Sequence, residues 1–494
     1  MRKKNIPYAM HWIDEEDIAA VAETLRSAHL TTGPKIAEFE DAIREVAGAD
    51  HVTAVCNGTA ALHAACFAAG IGPGDEVITS AMTFAATANS VLYMGGAPVF
   101  CDIDPATWNI DADKIESLIT SRTKAIIPVH YTGQPCDMDR ISAIAKRRNL
   151  IVIEDAAHAL GASYRGKPIG SISDMTVFSF HPAKHITTGE GGAIATSNEF
   201  YHRMLATFRV HGITRDPEMY EFNRDIYEIH DTFDIHHDLR DVSDIRDIRR
   251  DIHDEHDIRH DMRDIHDTRS AKESERYCPA SWYYEQQHLG YNYRLNDIQA
   301  ALGLSQLKRL PAFLQRRKEI AHMYNEAFEC LCQDGLMVLP NQLDGADSAW
   351  HIYVVSVPVP RIVSNDTDRG GALRNGKQSS GSAAVSERDW LQSVADRASA
   401  KKTMRGSAIV TAQHRDKVFN YLKTMGLGVN LHYIPVYLHP YYQKLGYHAG
   451  ACPEAEALYS SILTLPLYPA MTNEDVEYVI KCVRRALLDS HNSQ

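Results

Sequence analysis

One lysine, Lys184, lies in the stretch VFSFHPAKHITTGEGGAIA (177–195), between two short apolar runs that read as strands. His181, His185, Glu190 and a Gly-Gly pair share the polar turn with it. A loop held between two buried strands fixes a side chain in place while leaving it open to a ligand. A lysine that is partly buried there loses charge more readily and can attack a carbonyl. A solvated surface lysine fits the same local pattern, since lysine is almost always exposed. Lys184 alone does not decide between them.

Other residues supply the groups that such an amine needs. Asn57-Gly58-Thr59-Ala60 sits where an apolar strand, HVTAVC, turns into a helix of small residues. Free amides and the positive end of a helix dipole suit a phosphate at such a turn, although a simple packed turn has the same sequence. Asp155 ends the strand LIVIED, where ligands of open α/β sheets bind. Its carboxylate could hold a protonated ring nitrogen, bind a metal or cap the next helix. Ser179, five residues before Lys184, could give a hydroxyl to the same phosphate. Phe84 can stack on a flat ring, and His158 can reach a ring hydroxyl or pack on the ring; taken singly, both suit a core. A phosphate cup, a carboxylate for a pyridinium nitrogen and a lysine for an aldehyde are together the parts that pyridoxal phosphate (PLP) requires.

These residues need a scaffold. From residue 51 to 195, Val- and Ile-rich strands alternate with helices of ten to fifteen residues. That alternation predicts an α/β domain with a mostly parallel sheet. The expected organisation is a large domain over 1–310 and a smaller C-terminal α/β domain over 311–494. Asn296 and Asp297 are placed to cap the helix DIQAALGLSQL, and PAFLQRRKEIAHMYNEAFECL reads as a long helix bridging the two. WHIYVVSVPV and VNLHYIPV read as strands of the small domain.

Two segments break the pattern. Residues 224–276 are dense in Arg, Asp, His and Ile, with apolar positions mostly three or four apart. They read as a low-complexity insert, disordered or loosely helical. A partner-binding helix and a metal site at His253, His256 and His260 are the alternatives there; no metal site is expected elsewhere. Residues 362–388 are Gly/Ser-rich and read as a flexible loop.

Composition excludes several classes. The chain has 494 residues, 44% hydrophobic and 23% charged, which is ordinary for a globular protein. A net charge of -13 argues against nucleic-acid binding. Nine cysteines, an odd number with no CxxC pair, suit free thiols in a reducing compartment. The first residues have a basic start but no apolar core, so they do not read as a secretory signal. No apolar run reaches membrane-span length. The expectation is a cytoplasmic protein with no membrane or nucleic-acid partner.

NGTAALHAA, TFAATANSV, VIEDAAHALGA, SFHPAKHITTGEGGAI, GYNYRLNDIQAALGLSQL and LHYIPVYLHPYY occur in an order that resembles the DegT/StrS-type sugar-nucleotide aminotransferases. The resemblance covers most of the chain, though the segments 224–276 and 362–388 have no counterpart in it. It implies the PLP-dependent transferase fold of type I. It implies Lys184 as the Schiff-base lysine, Asp155 at the pyridine nitrogen, Phe84 on the ring, and Gly58, Thr59 and Ser179 at the phosphate. It also implies a homodimer with shared sites, in which Asn292 reaches the phosphate of the neighbouring subunit. SFHPAKHITTGEGG and LHYIPVYLHPYY carry a closer likeness to the pseudaminic acid branch of the family. The implied reaction moves the amino group of L-glutamate to the 4-keto carbon of a UDP-linked 4-keto-6-deoxy N-acetylamino sugar. His181, His432, Tyr433 and Tyr437 are the candidate sugar-binding residues. The alternatives are a perosamine- or 4-amino-arabinose-type aminotransferase and, from another class, a scaffold associating through 224–276. A sugar dehydratase fits less well, because relatives with that chemistry carry histidine where Lys184 stands.

Overall fold

A computed structural model describes residues 5–216, 219–220, 282–359 and 410–491. The insert 224–276 and the loop 362–388 lie outside the described residues. The chain divides into two compact units, one made of the chain up to Val210 and from Tyr291 onward, the other of His211–Gly290.

The larger unit begins with helices α1 (Glu15–Arg26) and α2 (Pro34–Ala47). The alternation then runs β1 (His51–Val55), α3 (Gly58–Ala68), β2 (Glu76–Ser80), α4 (Ala85–Tyr93), β3 (Ala97–Cys101), α5 (Ala112–Leu118), β4 (Thr123–Ile127), α6 (Met138–Arg148) and β5 (Ile151–Asp155). A small hairpin, β6 (Ser163–Tyr164) and β7 (Lys167–Pro168), precedes β8 (Met175–Ser179), β9 (Gly192–Thr196) and α7 (Glu199–Phe208). Seven strands form one sheet in the order β1-β9-β8-β5-β4-β2-β3. Only β9 runs against its neighbours; the other pairings are parallel. The carboxyl ends of β1, β2, β4, β5 and β8 therefore share one edge.

Alternation along each strand explains why both faces are covered. Ile78, Ile126, Val152 and Phe178 join a core with Phe39 and Ile43 of α2 and Ile141 of α6. Their chain neighbours Val77, Ile127, Ile153 and Val177 join a second core with α3 and with Leu205 and Phe208 of α7. Successive residues of a strand point to opposite faces, so near-continuous apolar strands need helices on both sides.

A third core lies at the C-terminal end. It joins Ile320, Tyr324 and Phe328 of the helix Leu310–Gln333 to Tyr353 and Val355, Leu463 and Leu465, and Val479 of the helix Asn473–His491. Tyr353–Ser356 and Ile462–Leu465 pair as an antiparallel ribbon. Ile6 belongs to this core too, bonded to Gly426 and Gly428 across the whole length of the chain. Two predicted strands come out differently. In WHIYVVSVPV only Tyr353–Ser356 is strand. VNLHYIPV pairs only at Asn430, through an isolated bridge to Thr464; farther on, Tyr433 reaches His158 and Val436 enters a 3-10 turn bonded to Ala81. In the smaller unit, Ile213–Thr214 pairs with Glu285–Gln286. Among the described residues no helix is long and apolar enough to cross a membrane.

The helix Asp297–Lys308 starts as its sequence predicts, with Asn296 and Gln299 forming a reciprocal cap. Asp297 does something else. Its fully buried carboxylate accepts from the backbone N–H of Gly33 (2.8 Å) and Lys35 (3.1 Å), which caps α2 from across the fold. A Cβ at Gly33 would fall 2.6 Å from that carboxylate, so only glycine allows the approach. Asp297→Ala strands two partly buried amides and should destabilise the protein by about 1–2 kcal/mol, read as a lower urea midpoint at unchanged m-value.

Candidate active site

The shared strand edge opens on a cavity of about 460 Å³. Four wall segments arrive from different strand ends. β1 leads into Asn57, Gly58 and Thr59; β2 into Thr83 and Phe84; β5 ends in Asp155 and leads to His158; β8 ends in Ser179 and leads to His181 and Lys184. Parallel strands place all these ends together, as open α/β sheets do at their ligand sites.

The Asn57 turn is built for an anion. Asn57 is the N-cap of α3, its side chain accepting from the Ala60 N–H at 2.8 Å. The amides of Gly58 and Thr59, first in the helix, have no acceptor within it. A Cβ on Gly58 would lie 2.9 Å from the Ser179 Cβ, so glycine brings the Ser179 hydroxyl against the turn. A Cβ on Gly192 would lie 2.5 Å from the Asn57 carbonyl, which closes the turn from the other side. A helix N-terminus, a glycine and a serine thus converge where a phosphate fits.

Asp155 is held from two directions. Its Oδ2 accepts from the Thr87 hydroxyl at 2.7 Å and its Oδ1 from the Ala157 N–H at 3.2 Å. Thr83 lies 2.6 Å from Thr87, so a hydroxyl pair orients the carboxylate. Phe84, between them and 60% exposed, presents its ring to the cavity.

Lys184 lies deeper, with part of its side chain open to the cavity. Burial pushes its amine down to about 8, while the charge of Asp155 works in the opposite direction. Its Nζ is 3.5 Å from His351 Nε2. Histidines surround it: the His158 and His351 rings are 4.3 Å apart, and His185 is 5.6 Å from His351. Burial holds His158, His185 and His351 well below the usual histidine range and brings His432 to about 4; the Lys184 charge adds to each. A neutral imidazole is a hydrogen-bonding group that adds no charge beside the amine.

The predicted residues are gathered unevenly. Gly58, Thr59, Phe84, Asp155, His158, Ser179, His181, Lys184, His432 and Tyr433 all line the cavity. The Tyr433 hydroxyl is 3.0 Å from His158 Nε2. Tyr437 does not line it. Its ring is fully buried and its hydroxyl donates to Glu456 at 2.7 Å, so the aromatic content of HYIPVY is partly core. Asn292 is exposed, bridged through its backbone to Val210, and away from the cavity of its own chain. Sequence reasoning missed Thr87, three residues past Phe84 on the same helix, where helical spacing was a usable signal. It also missed His351 and Tyr8, which line the cavity from distant segments and carry no local sign.

PLP fits these residues. The turn at Gly58 and Thr59 offers amides, Asp155 offers an oriented carboxylate, and Lys184 offers an amine of lowered pKa. The Nδ1 atoms of His158 and His351 are buried with no partner among the described residues. Buried polar atoms left this way usually answer to a ligand or an ordered water.

The family model described as the DegT/DnrJ/EryC1/StrS aminotransferase family matches residues 11–243, 252–368 and 385–484. The spore coat polysaccharide biosynthesis protein SpsC of Bacillus subtilis is 36% identical over 488 residues, 98% of each chain. Among solved structures, Helicobacter pylori PseC, an aminotransferase involved in the biosynthesis of pseudaminic acid, superposes with a TM-score of 0.71 at 26% identity. That match covers 98% of this chain and all of PseC. Spr1654 from Streptococcus pneumoniae, in its PLP-form, gives 0.71 at 26% identity, covering 99% of this chain and 100% of that one.

A lowered amine pKa has a direct readout. Incubating the apoprotein with PLP and borohydride should label Lys184, located by peptide mass spectrometry. The neutral fraction of the amine grows as pH rises through its folded pKa, so labelling should climb with a midpoint near 8. A midpoint near the ordinary lysine value of about 10.4 would contradict the burial described above.

Proposed function

The chain belongs to the DegT/DnrJ/EryC1/StrS aminotransferase family, and from that premise we propose that it transfers the amino group of L-glutamate to the 4-keto carbon of a UDP-linked 4-keto-6-deoxy N-acetylamino sugar, as in pseudaminic acid biosynthesis. At the coarser level it is a PLP-dependent sugar aminotransferase of α/β fold. The observation that carries the reading is the convergence of Lys184, Asp155 and the Gly58-Thr59 turn on one cavity. PLP, when bound, supplies an aldehyde for amines and a ring that accepts electrons from the carbon next to nitrogen.

The protein's own groups do the rest. Gly58, Thr59 and Ser179 hold the phosphate end. Asp155, fixed by Thr87, keeps the proton on the ring nitrogen. Phe84 would cover the ring, and His158, which lines the same cavity, would pack on it or reach its hydroxyl. Lys184 Nζ, in its neutral form, would move the proton from the glutamate α-carbon to the cofactor carbon that carried the aldehyde, so that the amino group stays on the cofactor and 2-oxoglutarate leaves. The keto sugar takes the same path in reverse, so the kinetics are ping-pong. His181, His432 and Tyr433 face the sugar. The working form is a cytoplasmic homodimer, Asn292 of the partner subunit completing the phosphate site.

The test is product analysis with glutamate and a panel of UDP- and GDP-linked 4-keto sugars. Amination of the UDP-linked N-acetylamino sugar above the others supports the assignment; preference for a perosamine or arabinose precursor overturns the substrate and leaves the enzyme class. Lys184→Ala should lose turnover by roughly 10³-fold or more. Thr87→Val, which removes a hydroxyl from a carboxylate, should lower kcat about 10- to 100-fold.

A further inference from the structure

His351 meets the Lys184 amine, yet nothing about its segment suggested a role. It is 4% exposed, its Nε2 is 3.5 Å from Lys184 Nζ, and its Nδ1 has no partner among the described residues. Its backbone is fixed on both sides. The His351 N–H donates to the Thr132 carbonyl at 2.8 Å, and its own carbonyl accepts from Arg317 at 2.9 Å.

Arg317 is itself unusual. Its guanidinium is 1% exposed and the hydrogen bonds described for it go to main-chain carbonyls: Trp350 (3.3 Å), His351, Leu467 (3.2 Å) and Lys184 (3.4 Å). One buried cation thus ties the Lys184 turn to the His351 turn, and a buried guanidinium is retained only where many acceptors converge on it.

We propose that His351 is a positioning residue for Lys184: its neutral Nε2 accepts a hydrogen bond from the amine and holds the remaining lone pair toward the cavity, on a backbone braced by Arg317. The inference rests on Lys184 being the amine of the proposed reaction. A neutral amine has two N–H groups and one lone pair, so an acceptor behind it fixes where the pair points. Hydrogen bonds of this kind are often long before substrate binds and tighten afterwards. When the amine takes the substrate proton, the resulting ammonium still donates to Nε2, and His351 neither gains nor loses a proton. Groups facing His351 are Lys184, His158, His185 and the charge of Arg317. The rings are neutral at neutral pH, and Arg317 disfavours protonating His351.

The variants are His351→Leu, which keeps bulk without an acceptor, His351→Gln, which keeps an acceptor at similar reach, and His351→Asn, which is too short. In His351→Leu and His351→Asn, kcat should fall roughly 10- to 100-fold with KM for the sugar nucleotide unchanged. The kinetic isotope effect with α-deuterated glutamate should rise, because proton transfer becomes more rate-limiting. In the apoprotein the Lys184 labelling midpoint should move below 8, because the ammonium loses an acceptor. His351→Gln should restore all three. Wild-type isotope effect and midpoint in both His351→Leu and His351→Asn overturn the proposal, as does a His351→Gln variant no better than His351→Leu. If His351→Leu does not fold, the Gln–Asn pair still decides. Labelling that persists in Lys184→Ala overturns the reading of Lys184 instead, so the two failures are distinct.

Discussion

Everything at the site follows from taking a lysine amine out of water. Desolvation disfavours the charged form, so the amine is neutral at a pH where a surface lysine is not. A free amine can both bond to an aldehyde and carry a proton. The cost of burying it is offset by polar surroundings, among them four imidazoles held neutral by their own burial. Asp155 is the nearby counter-charge, and it is spoken for by Thr87 and Ala157.

The sheet makes that environment possible. Strands that run the same way end at one edge, and β1, β2, β5 and β8 each contribute a short segment to the cavity. A sheet covered on both faces by helices leaves its strand ends as the place where polar groups can converge without being buried in a core. The same geometry presents the N-terminus of α3 to the cavity. The turn at Gly58 and the Asp155 carboxylate at the end of β5 then line the same cavity.

Long-range braces hold the edge in place. Arg317 bonds carbonyls from residues 184, 350, 351 and 467, and Asp297 caps a helix that begins 264 positions earlier at Gly33. Tyr131 donates to the His432 carbonyl, and His432 meets Thr464 at 2.8 Å, so the His432 segment of the cavity wall is tied to both the large sheet and the C-terminal ribbon. Ile6, near the start of the sequence, joins the C-terminal core. The Arg317 and His432 contacts brace segments that line the cavity.

Local signals in the sequence determined the alternating α/β architecture, the cap at Asn296, the turn at Asn57 and the strand-end position of Asp155. These depend on periodicity, propensity and neighbours a few residues apart, which a linear chain displays directly. Motif spacing also determined the identity of Lys184 as the amine to consider. Tertiary structure decided the rest. It placed Tyr437 in the core and Tyr433 at the cavity, two aromatics four positions apart that no local rule separates. It turned VNLHYIPV away from strand pairing and set His351, 167 residues from Lys184, against its amine. Burial, and with it the state of a titratable group, is a property of what packs around a residue, and those neighbours come from parts of the chain that the sequence keeps far apart.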